Sequence, residues 1–348
     1  MSGQRTRLRP RFDAPRIDMS HGAGGKATHK LIEGLLLPAL ENTALAPLSD
    51  AAVIPCGDAR LALTTDSFVV RPLLFPGGSI GELAVNGTVN DLAVSGATPL
   101  ALSAALIVEE GLSTEVLERE VGAMATAAER AGVAVAAGDT KVVERGRADG
   151  MYITTTGIGV ADPELELSAA AVRPGDKILC SGTLGDHGTA ILIARGDLEL
   201  EADLLSDTRP LIPLVEALKG AAGPGLRFMR DPTRGGAGTV LNELARDSGL
   251  GVVIWEERIP VREIVHGACE ILGIDPLYVA NEGKLLAVVA PECADAALEA
   301  LRGVEGGEEA EVIGEIREEP ARMVVMHTGF GGTRMIDMLV GDPLPRIC

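Results

Sequence analysis

Apolar β-like segments alternate with helical segments along this chain, and the alternation is interrupted once. The strand signals of the first half lie at 52–54, 61–70, 100–108, 133–137 and 151–160, and the helical signals at 27–40, 80–95 and 113–131. Pro163 and the Pro- and Gly-containing segment 171–175 then break the pattern. Strands and helices resume at 176 and continue to 327. The sequence therefore predicts two domains of the α/β or α+β class.

The length of 348 residues suits two domains, each with its own core. We expect a basic leader at 1–19, an N-terminal domain at 20–165, a C-terminal domain at 170–330 and a mobile tail at 331–348. Aromatic residues make up only 2% of the chain. The cores must therefore be built mainly from Ala, Val, Leu and Ile.

Charge and cysteine usage exclude several classes of protein. A formal net charge of -19 argues against nucleic acid or an anionic membrane as the main partner. The five cysteines are widely spaced and never form a CxxC pair, a pattern typical of a reduced, cytosolic protein. The basic leader is not followed by the apolar region of a signal peptide, and no apolar run approaches the ~18 residues of a membrane helix. We expect a soluble cytoplasmic protein.

The last six residues, 343–348, read Pro-Leu-Pro-Arg-Ile-Cys. Two prolines forbid a helix and hold the backbone extended. Because termini are mobile unless they are tied down, the terminal thiol of Cys348 can be carried on a flexible arm into a pocket elsewhere. Chance placement of a cysteine at the end is the alternative.

A glycine-rich segment, 21–26, opens the first predicted helix with the sequence His-Gly-Ala-Gly-Gly-Lys. It is not a dinucleotide fingerprint, because no hydrophobic strand precedes it, and Ser20 and Ala27 break the P-loop pattern. A ligand lid and a plain loop-to-helix entry both remain open. The histidines are too scattered for a zinc site, and His21, beside these glycines, is the one that we keep as a functional candidate.

Five aspartates interrupt apolar or glycine-rich segments, mostly at predicted strand ends: Asp50, Asp66, Asp91, Asp139 and Asp231. A lone acid at such a place is usually a cap or a turn residue. Five carboxylates in one cleft would repel one another unless a hard cation compensated, and Mg²⁺ is the usual such ion. Lys141 and Arg234 lie close in sequence to two of the acids and could hold phosphate oxygens. The pattern indicates phosphoryl transfer from a nucleotide without a P-loop.

Several motifs together resemble the HypE family of hydrogenase maturation proteins, within the PurM-like (aminoimidazole ribonucleotide synthetase-like) group. The matching segments are 21–25, 75–78, 86–93, 138–141, 185–188, 230–236 and the terminal Pro-Arg-Ile-Cys. They run in order from about residue 17 to the end, leaving out only the basic leader. The resemblance implies a two-domain PurM-like α/β (α+β) fold with a flexible C-terminal tail. It also implies a homodimer whose N-terminal sheets pair into a β-barrel, with ATP in clefts at that interface.

The resemblance further implies a reaction. The carbamoyltransferase HypF would place a carboxamide on Cys348, and the chain would use ATP with Mg²⁺ to phosphorylate the amide oxygen. Loss of phosphate would turn the thiocarboxamide into a thiocyanate. The cyanide would then pass to iron on a HypC–HypD complex, for a [NiFe]-hydrogenase. Neither nucleic acid nor a membrane is an implied partner.

The resemblance assigns roles to individual residues. Cys348 is the carrier, Glu282 the base that removes the amide protons, and Lys141 the residue that steadies the amide oxygen; His21 joins this catalytic set. The implied nucleotide-binding residues are Asp66, Asn90, Asp139, Thr140, Arg234 and Gly235, and the implied metal ligands are Asp50, Asp66, Asp91 and Asp231. Segment 55–60 has no match in the family pattern, which leaves open whether Asp58 or Asp66 contributes more to the metal.

Other readings stay open. Selenophosphate synthetase, of the same group, would need a Cys or selenocysteine near the N-terminal glycines, and this sequence has none there. Thiamine-monophosphate kinase would not explain the C-terminal Pro-Arg-Ile-Cys. A scaffold that delivers a Cys-bound group, with ATP only as a switch, belongs to a different class. In a plain α/β enzyme with a fortuitous tail, Cys348 would have no role.

Overall fold

The computed structural model describes residues 11–40, 42–197, 202–339, 341, 344 and 346–348. The first domain contains strands β1 Ala52–Cys56, β2 Ala59–Phe68, β3 Leu74–Phe75, β4 Gly78–Ser79, β5 Ala97–Glu109, β6 Ala134–Val143 and β7 Met151–Ala161. Its helices are α1 Lys26–Leu31, α2 Leu37–Leu40, α3 Ile80–Val94 and α4 Thr114–Ala131. Five of the strands form one sheet in the order β1-β2-β7-β5-β6.

Among the residues that the structure describes, helices cover one face of this five-stranded sheet and not the other. Along β7, Met151, Ile153 and Thr155 are buried toward α3, whereas Ile158 and Val160 on the opposite face are partly exposed. An antiparallel strand with one solvated face usually alternates apolar and polar residues. Here the open face is partly apolar: it presents Leu63 of β2 and Ile107 of β5 beside polar residues such as Thr65 and Thr156.

Strand β6 is longer than the sequence predicts. The apolar run indicates a strand ending at 137, but β6 continues to Val143 because its parallel pairing with β5 extends to Glu109. Asp139 lies opposite Ala105 and Lys141 opposite Ile107. The prediction that Asp139 follows a strand is therefore wrong: it lies inside an exposed edge strand.

The second domain contains strands β8 Lys177–Cys180, β9 Leu226–Arg230, β10 Gly251–Trp255, β11 Leu286–Val289, β12 Glu311–Arg317, β13 Val324–His327 and β14 Thr333–Ile336. Its helices are α5 Asp186–Arg195, α6 Ile212–Ala222, α7 Gly236–Ser248, α8 Glu263–Leu272 and α9 Ala294–Arg302. The strands form one mixed sheet in the order β14-β13-β10-β12-β8-β11-β9.

Helices cover both faces of this second sheet. Alternate residues of β8 and β11 enter two separate cores: Ile178 and Val288 pack with α7, and Leu179 packs with α6 and α9. Strands buried on both faces read as continuous apolar runs, which is why these segments carry no polar alternation.

The N-terminal helix has a π-helical turn, Ile32–Leu36, between α1 and α2. The sequence places Leu31, Leu35 and Leu36 on one face, but Leu35 and Leu36 are exposed and Leu37 is the buried residue. A π-turn inserts an extra residue into the helical repeat and rotates the face that follows it.

The end of the chain is not wholly separate from the domains. The predicted tail begins at 331, yet β14 pairs with β13 inside that range. Near the terminus, Leu344 and Ile347 are buried in a hydrophobic core that residues of both domains share, among them Phe68 and Ile191. No helix in the described parts of the chain is long and apolar enough to span a membrane.

Candidate functional site

The C-terminal residues lie against the segment that follows β2. The Val69 N–H donates to the Cys348 carbonyl at 3.2 Å, and the Arg71 N–H donates to the Arg346 carbonyl at 3.3 Å. The two hydrogen bonds follow an antiparallel pattern along 69–71, although Arg346 itself is in the left-handed region with a φ of +59°. The terminal thiol is thereby held inside the molecule.

Cys348 borders a cavity of about 400 Å³ between the two domains. Its lining includes Ser67 of β2, the glycine-rich segment at His21 and Gly22, and the turn at Arg234 and Gly235. A cavity of this size suits a small ligand group. The structure therefore brings Cys348, His21, Arg234 and Gly235 of the predicted site together.

The Cys348 thiol faces the Glu282 carboxyl group. Burial raises the pKa of the thiol well above its usual range, and the charge of Glu282, to which the thiol donates a hydrogen bond, raises it further. Arg234 opposes this effect. The docked thiol is therefore held in its protonated form.

Glu282 is only 3% exposed and lies in a turn fixed from several sides. Its N–H donates to the Asp207 carboxylate at 2.9 Å, and the neighbouring Asn281 side chain accepts from Gly185 N–H and donates to the Pro232 carbonyl. Burial raises the pKa of Glu282 well above the ordinary value, with further contributions from Asp231 and Asp66. A carboxylate in such a place takes up a proton readily.

Asp50, Asp91 and Asp231 form a cluster that we call the acid trio. Each offers one carboxylate oxygen, and these oxygens all lie within 4.8 Å of one another. Burial raises the pKa of all three, and that of Asp231 rises to about 8, with Asp50 the next contributor. A set of oxygen donors whose charges are costly without compensation fits a hard divalent cation such as Mg²⁺.

Asp66, the fourth predicted metal ligand, lies beside the acid trio rather than in it. Its charge raises the pKa of both Asp91 and Asp231, and it forms an ion pair with Arg234 at 3.7 Å. Asp58 occupies the hairpin turn between β1 and β2, eight residues before Asp66 and hence roughly 26 Å away along the strand. Of these two acids, only Asp66 is near the acid trio.

A partly buried chain of polar contacts supports the acid trio from behind. Arg230 Nε lies 2.7 Å from Asp50, and the same guanidinium binds Glu243. Glu243 in turn lies 2.8 Å from His29 Nε2 on α1. Arg230 thus offsets part of the negative charge and holds Asp50 in place.

The turn before α7 provides a cradle for an anion. Gly235, with a φ of +78°, caps this 13-residue helix, and its N-terminus carries the positive end of the helix dipole. Within the described residues the Thr239 hydroxyl is buried without a hydrogen-bond partner, and it lies against Gly235. Together with Arg234, these groups suit phosphate oxygens.

The glycine-rich segment packs closely on protein backbone. A Cβ at Gly24 would lie 2.8 Å from the Arg234 carbonyl oxygen, and one at Gly25 would clash with the Leu339 carbonyl. The Lys26 N–H donates to that same Leu339 carbonyl at 2.8 Å. These glycines thus allow the N-terminal segment to close one side of the cavity, where the His21 ring stacks edge-on against Phe12.

Asp139, Thr140 and Lys141 lie outside this assembly in a single chain. The strand register places β6 three strands from β2, about 14 Å at the usual strand spacing. Lys141 lies on the open face of the sheet, where it pairs with Asp139 at 2.7 Å, whereas Asp66 lies on the face toward α3. The structure does not bring Lys141 to Cys348 within one chain.

Asn90, a predicted nucleotide contact, is fully buried and bonded between the domains. Its amide group donates to the carbonyls of Arg209 and Glu282, and its oxygen accepts from the Leu211 N–H. Contact with a nucleotide would require some of these bonds to break. In this arrangement Asn90 positions the Glu282 turn.

His187 makes a contact that the sequence analysis does not predict. It is a buried histidine with both ring nitrogens hydrogen-bonded, and its Nε2 lies 2.9 Å from the Ile347 carbonyl of the docked tail. The available signal was its place in Gly185-Asp186-His187-Gly188, which is one of the motifs that match the family.

Comparisons with known proteins identify the family of this chain. Residues 48–161 match the N-terminal domain and residues 173–326 the C-terminal domain of AIR synthase related proteins. The carbamoyl dehydratase HypE of Azotobacter vinelandii is 53% identical over 332 residues, which cover 95% of this chain and 97% of that protein.

Two solved structures are similar over most of their length. The structure of a HypE–HypF complex has a TM-score of 0.84 at 46% identity and covers 89% of this chain and 99% of its own. A HypE in complex with ATP has a TM-score of 0.79 at 46% identity and covers 94% of this chain and 98% of its own. This level of identity over nearly the whole chain favours HypE over selenophosphate synthetase and thiamine-monophosphate kinase. The chain belongs to the HypE family of carbamoyl dehydratases, whose two domains are those of the AIR synthase related proteins.

Proposed function

We propose that this chain dehydrates a carboxamide carried on its own Cys348, using ATP, and so makes a thiocyanate for the iron of a [NiFe]-hydrogenase. One observation carries the proposal: the terminal thiol is docked against Glu282, beside the acid trio and Arg234. The chain's membership of a family of carbamoyl dehydratases supports the same reaction.

The reaction balances in two steps. The amide oxygen of the thiocarboxamide attacks the γ-phosphorus of ATP, and ADP leaves. The C–O bond then breaks, two N–H protons depart, and the products are a thiocyanate on Cys348 and inorganic phosphate, which keeps the former amide oxygen. Phosphorylation is needed because an amide oxygen is otherwise a poor leaving group.

Glu282 is the base for the N–H protons. It already accepts the hydrogen bond of the Cys348 thiol, so a carboxamide on that sulfur would bring its nitrogen into the same neighbourhood. The raised pKa of Glu282 makes its carboxylate a stronger base than an exposed one.

The acid trio, Asp50, Asp91 and Asp231, would hold Mg²⁺, which supplies charge neutralisation at the phosphates of ATP. Asp66, which is paired with Arg234, adjoins this site. Arg234, Gly235 and the N-terminus of α7 would bind phosphate oxygens.

A second copy of the chain supplies Lys141. Lys141, with Asp139 and Thr140, lies on β6 of the sheet whose open face is partly apolar, so a partner's sheet that covers this face buries apolar area on both sides. The two sheets would then pair into a barrel. Lys141 of the partner would reach the carboxamide that Lys141 of the same chain does not reach.

The tail must leave the cavity for the carrier cycle. Cys348 would receive its carbamoyl group from HypF, return to the cavity for dehydration, and deliver the cyanide to HypC–HypD. The solved HypE–HypF complex supports the first of these partners. The tail is held by backbone hydrogen bonds, which can form and break without any covalent change.

Intact mass spectrometry tests the proposal. The protein is incubated with HypF, carbamoyl phosphate, ATP and Mg²⁺, with Cys348→Ala as the matched control. We expect a carbamoyl adduct on Cys348 that then loses the mass of one water. Absence of the adduct, or an equal adduct on the alanine variant, would contradict the proposal.

The scaffold alternative, in which ATP acts only as a switch, predicts little release of phosphate. Stoichiometric release from the carbamoylated protein, and none from the unmodified protein, separates the enzyme from the scaffold. Glu282→Gln should retain the carbamoyl adduct and lower the rate at which the adduct loses water by a factor of about 10² to 10⁴.

A further inference from the structure

His187, in the first turn of α5, contacts the docked tail from the side opposite to the β2 extension. Its imidazole is 0% exposed, stacks edge-on against Phe75 and donates from Nε2 to the Ile347 carbonyl at 2.9 Å. The backbone of 69–71 binds the main-chain oxygens of Arg346 and Cys348, whereas the Ile347 carbonyl between them binds His187.

The hydrogen bonds around the ring specify one tautomer. A carbonyl only accepts, so Nε2 must carry the proton that binds Ile347. Nδ1 then accepts from the Ser206 hydroxyl at 2.8 Å, while the Ser206 oxygen accepts from the Thr208 N–H at 3.1 Å. Every donor in this relay therefore meets an acceptor.

Burial favours the neutral ring that this relay requires. The pKa of His187 is lowered by burial, which outweighs the opposing effects of Asp207 and of the Ile347 carbonyl. A neutral imidazole donates one hydrogen bond here without bringing a buried charge toward the cavity. The contact depends only on the tail backbone and not on the chemical state of the Cys348 sulfur.

We propose that His187, oriented by Ser206, is the latch that holds the tail in its docked position and sets how often Cys348 is released. His187 is a positioning residue, since it acts on the tail backbone and not on the reacting group. The proposal deepens the proposed function, because a latch of this kind matters for a thiol that must travel.

The chain's own cysteines provide the controls for a test by alkylation with iodoacetamide. Cys56 is exposed and reports the activity of the reagent, whereas Cys180 and Cys269 are buried and report unfolding. Cys348 is the reporter of tail release. The rate of its alkylation, divided by that of Cys56, is followed by peptide mass spectrometry and needs neither HypF nor ATP.

His187→Asn places an amide near Nδ1 but does not reach Ile347, and Ser206→Ala removes the group that orients the ring. We expect His187→Asn to raise the relative alkylation of Cys348 about tenfold, because one buried hydrogen bond to the tail is lost. Ser206→Ala should raise it less, because the ring keeps its bond to Ile347 but loses the partner that orients it. His187→Gln, whose amide reaches the position of Nε2, should restore slow alkylation. His266→Asn on α8, at an exposed histidine, is the matched control and should change nothing.

Unchanged alkylation of Cys348 in both His187→Asn and Ser206→Ala overturns the latch. If Cys180 or Cys269 becomes reactive in His187→Asn, that variant has lost its fold. The test then rests on Ser206→Ala, which keeps the imidazole ring: unchanged alkylation of Cys348 in that variant overturns the latch. Transfer of a carbamoyl group by HypF should quicken in the released variants, which a folding defect would not produce. Faster alkylation without any transfer by HypF would leave the latch standing and contradict the proposed function instead.

Discussion

The two sheets of this protein differ in how their faces are covered. The seven-stranded sheet is packed by helices on both sides, and its central strands are apolar on both faces. Within the described residues, the five-stranded sheet is packed on one side only and leaves a partly apolar face open. The second domain is thus complete as a folded layer, whereas the first presents a surface that a second copy would cover.

The predicted site residues divide along the same line. Those at the junction of the domains, namely Cys348, Glu282 and the acid trio, meet within one chain. Those on the edge strand of the open sheet, Asp139 to Lys141, do not. The difference teaches that the folded unit and the proposed catalytic unit need not be the same: in our proposal, one chain folds and a second chain completes the site.

The largest effect is expected when the intact Lys141 and the intact Cys348 are on different chains of a dimer. Lys141→Ala and Cys348→Ala should each abolish dehydration. If Lys141 acts across the dimer, a mixed dimer of the two variants has one site with both residues intact. Equal mixing after reversible dissociation should then restore about one quarter of the wild-type sites.

This complementation separates the two arrangements directly. If Lys141 served Cys348 of its own chain, both sites of the mixed dimer would lack one residue and activity would stay absent. Lys141→Ala mixed with wild type, at the same total concentration, is the control for dilution.

The covered and open sheet faces should respond differently to the same substitution. Val288 on β11 is 0% exposed, so Val288→Asp buries an unpaired charge and should cost more than about 4 kcal/mol of the free energy of unfolding. Ile158 on the open face of β7 is 39% exposed, so Ile158→Asp should keep the fold but dissociate the dimer. Urea unfolding and sedimentation measure the two effects; a dimer that survives Ile158→Asp would contradict the covered-face interpretation.

The acid trio predicts that the free energy of unfolding depends on pH, and this dependence does not require a second chain. Because the folded-state pKa of Asp231 is raised from 3.8 to about 8, the stability linked to its protonated form is full below the unfolded value and is lost as pH rises through about 8. Without divalent cations, the free energy of unfolding should therefore fall between about pH 4 and about pH 8, and Mg²⁺ should restore it.

Asp91→Asn is the sharper variant for this prediction. It removes one of the mutually repelling charges, so the metal-free protein should lose less stability at high pH and respond less to Mg²⁺. Because the trio lies within one chain, the effect should not depend on dissociation of the dimer. A metal-free protein that is more stable at high pH would contradict the assignment.

The smallest effect is expected at the outer contact of the tail. Arg346 forms an ion pair with Asp149 at 2.9 Å, and the arginine is well exposed. Such pairs stabilise by less than about 1 kcal/mol, so Asp149→Asn should raise Cys348 alkylation by no more than about fivefold. An effect as large as that of His187→Asn would indicate that this ion pair holds the tail as strongly as the imidazole does, and would contradict the role proposed for His187.

Local patterns predicted much of the fold. Helices α3 and α4 and strands β2 and β7 lie within two residues of their predicted bounds, because Pro and Gly lie near their ends and their apolar spacing is regular. The acid trio was also predicted from a local signal, since carboxylates that interrupt apolar segments are energetically costly unless a cation compensates their charge.

Long-range contacts decided what local patterns could not predict. The continuation of β6 past Gly138 depends on pairing with β5, and the face that Lys141 occupies follows from that register. The role of His187 depends on a tail that lies 160 residues further along the chain. Whether Asp58 or Asp66 lies near the acids depends on where the hairpin of β1 and β2 turns.

The most direct test of the central claim follows the carbamoyl oxygen. Cys348 is loaded with a carboxamide whose oxygen carries a heavy isotope, and ATP and Mg²⁺ are then added. If the amide oxygen attacks the γ-phosphorus, the released phosphate should contain one labelled oxygen for each thiocyanate formed, and Glu282→Gln should slow both products together. Label that appears in water, with unlabelled phosphate, would show that ATP is cleaved separately from the dehydration and would contradict the account.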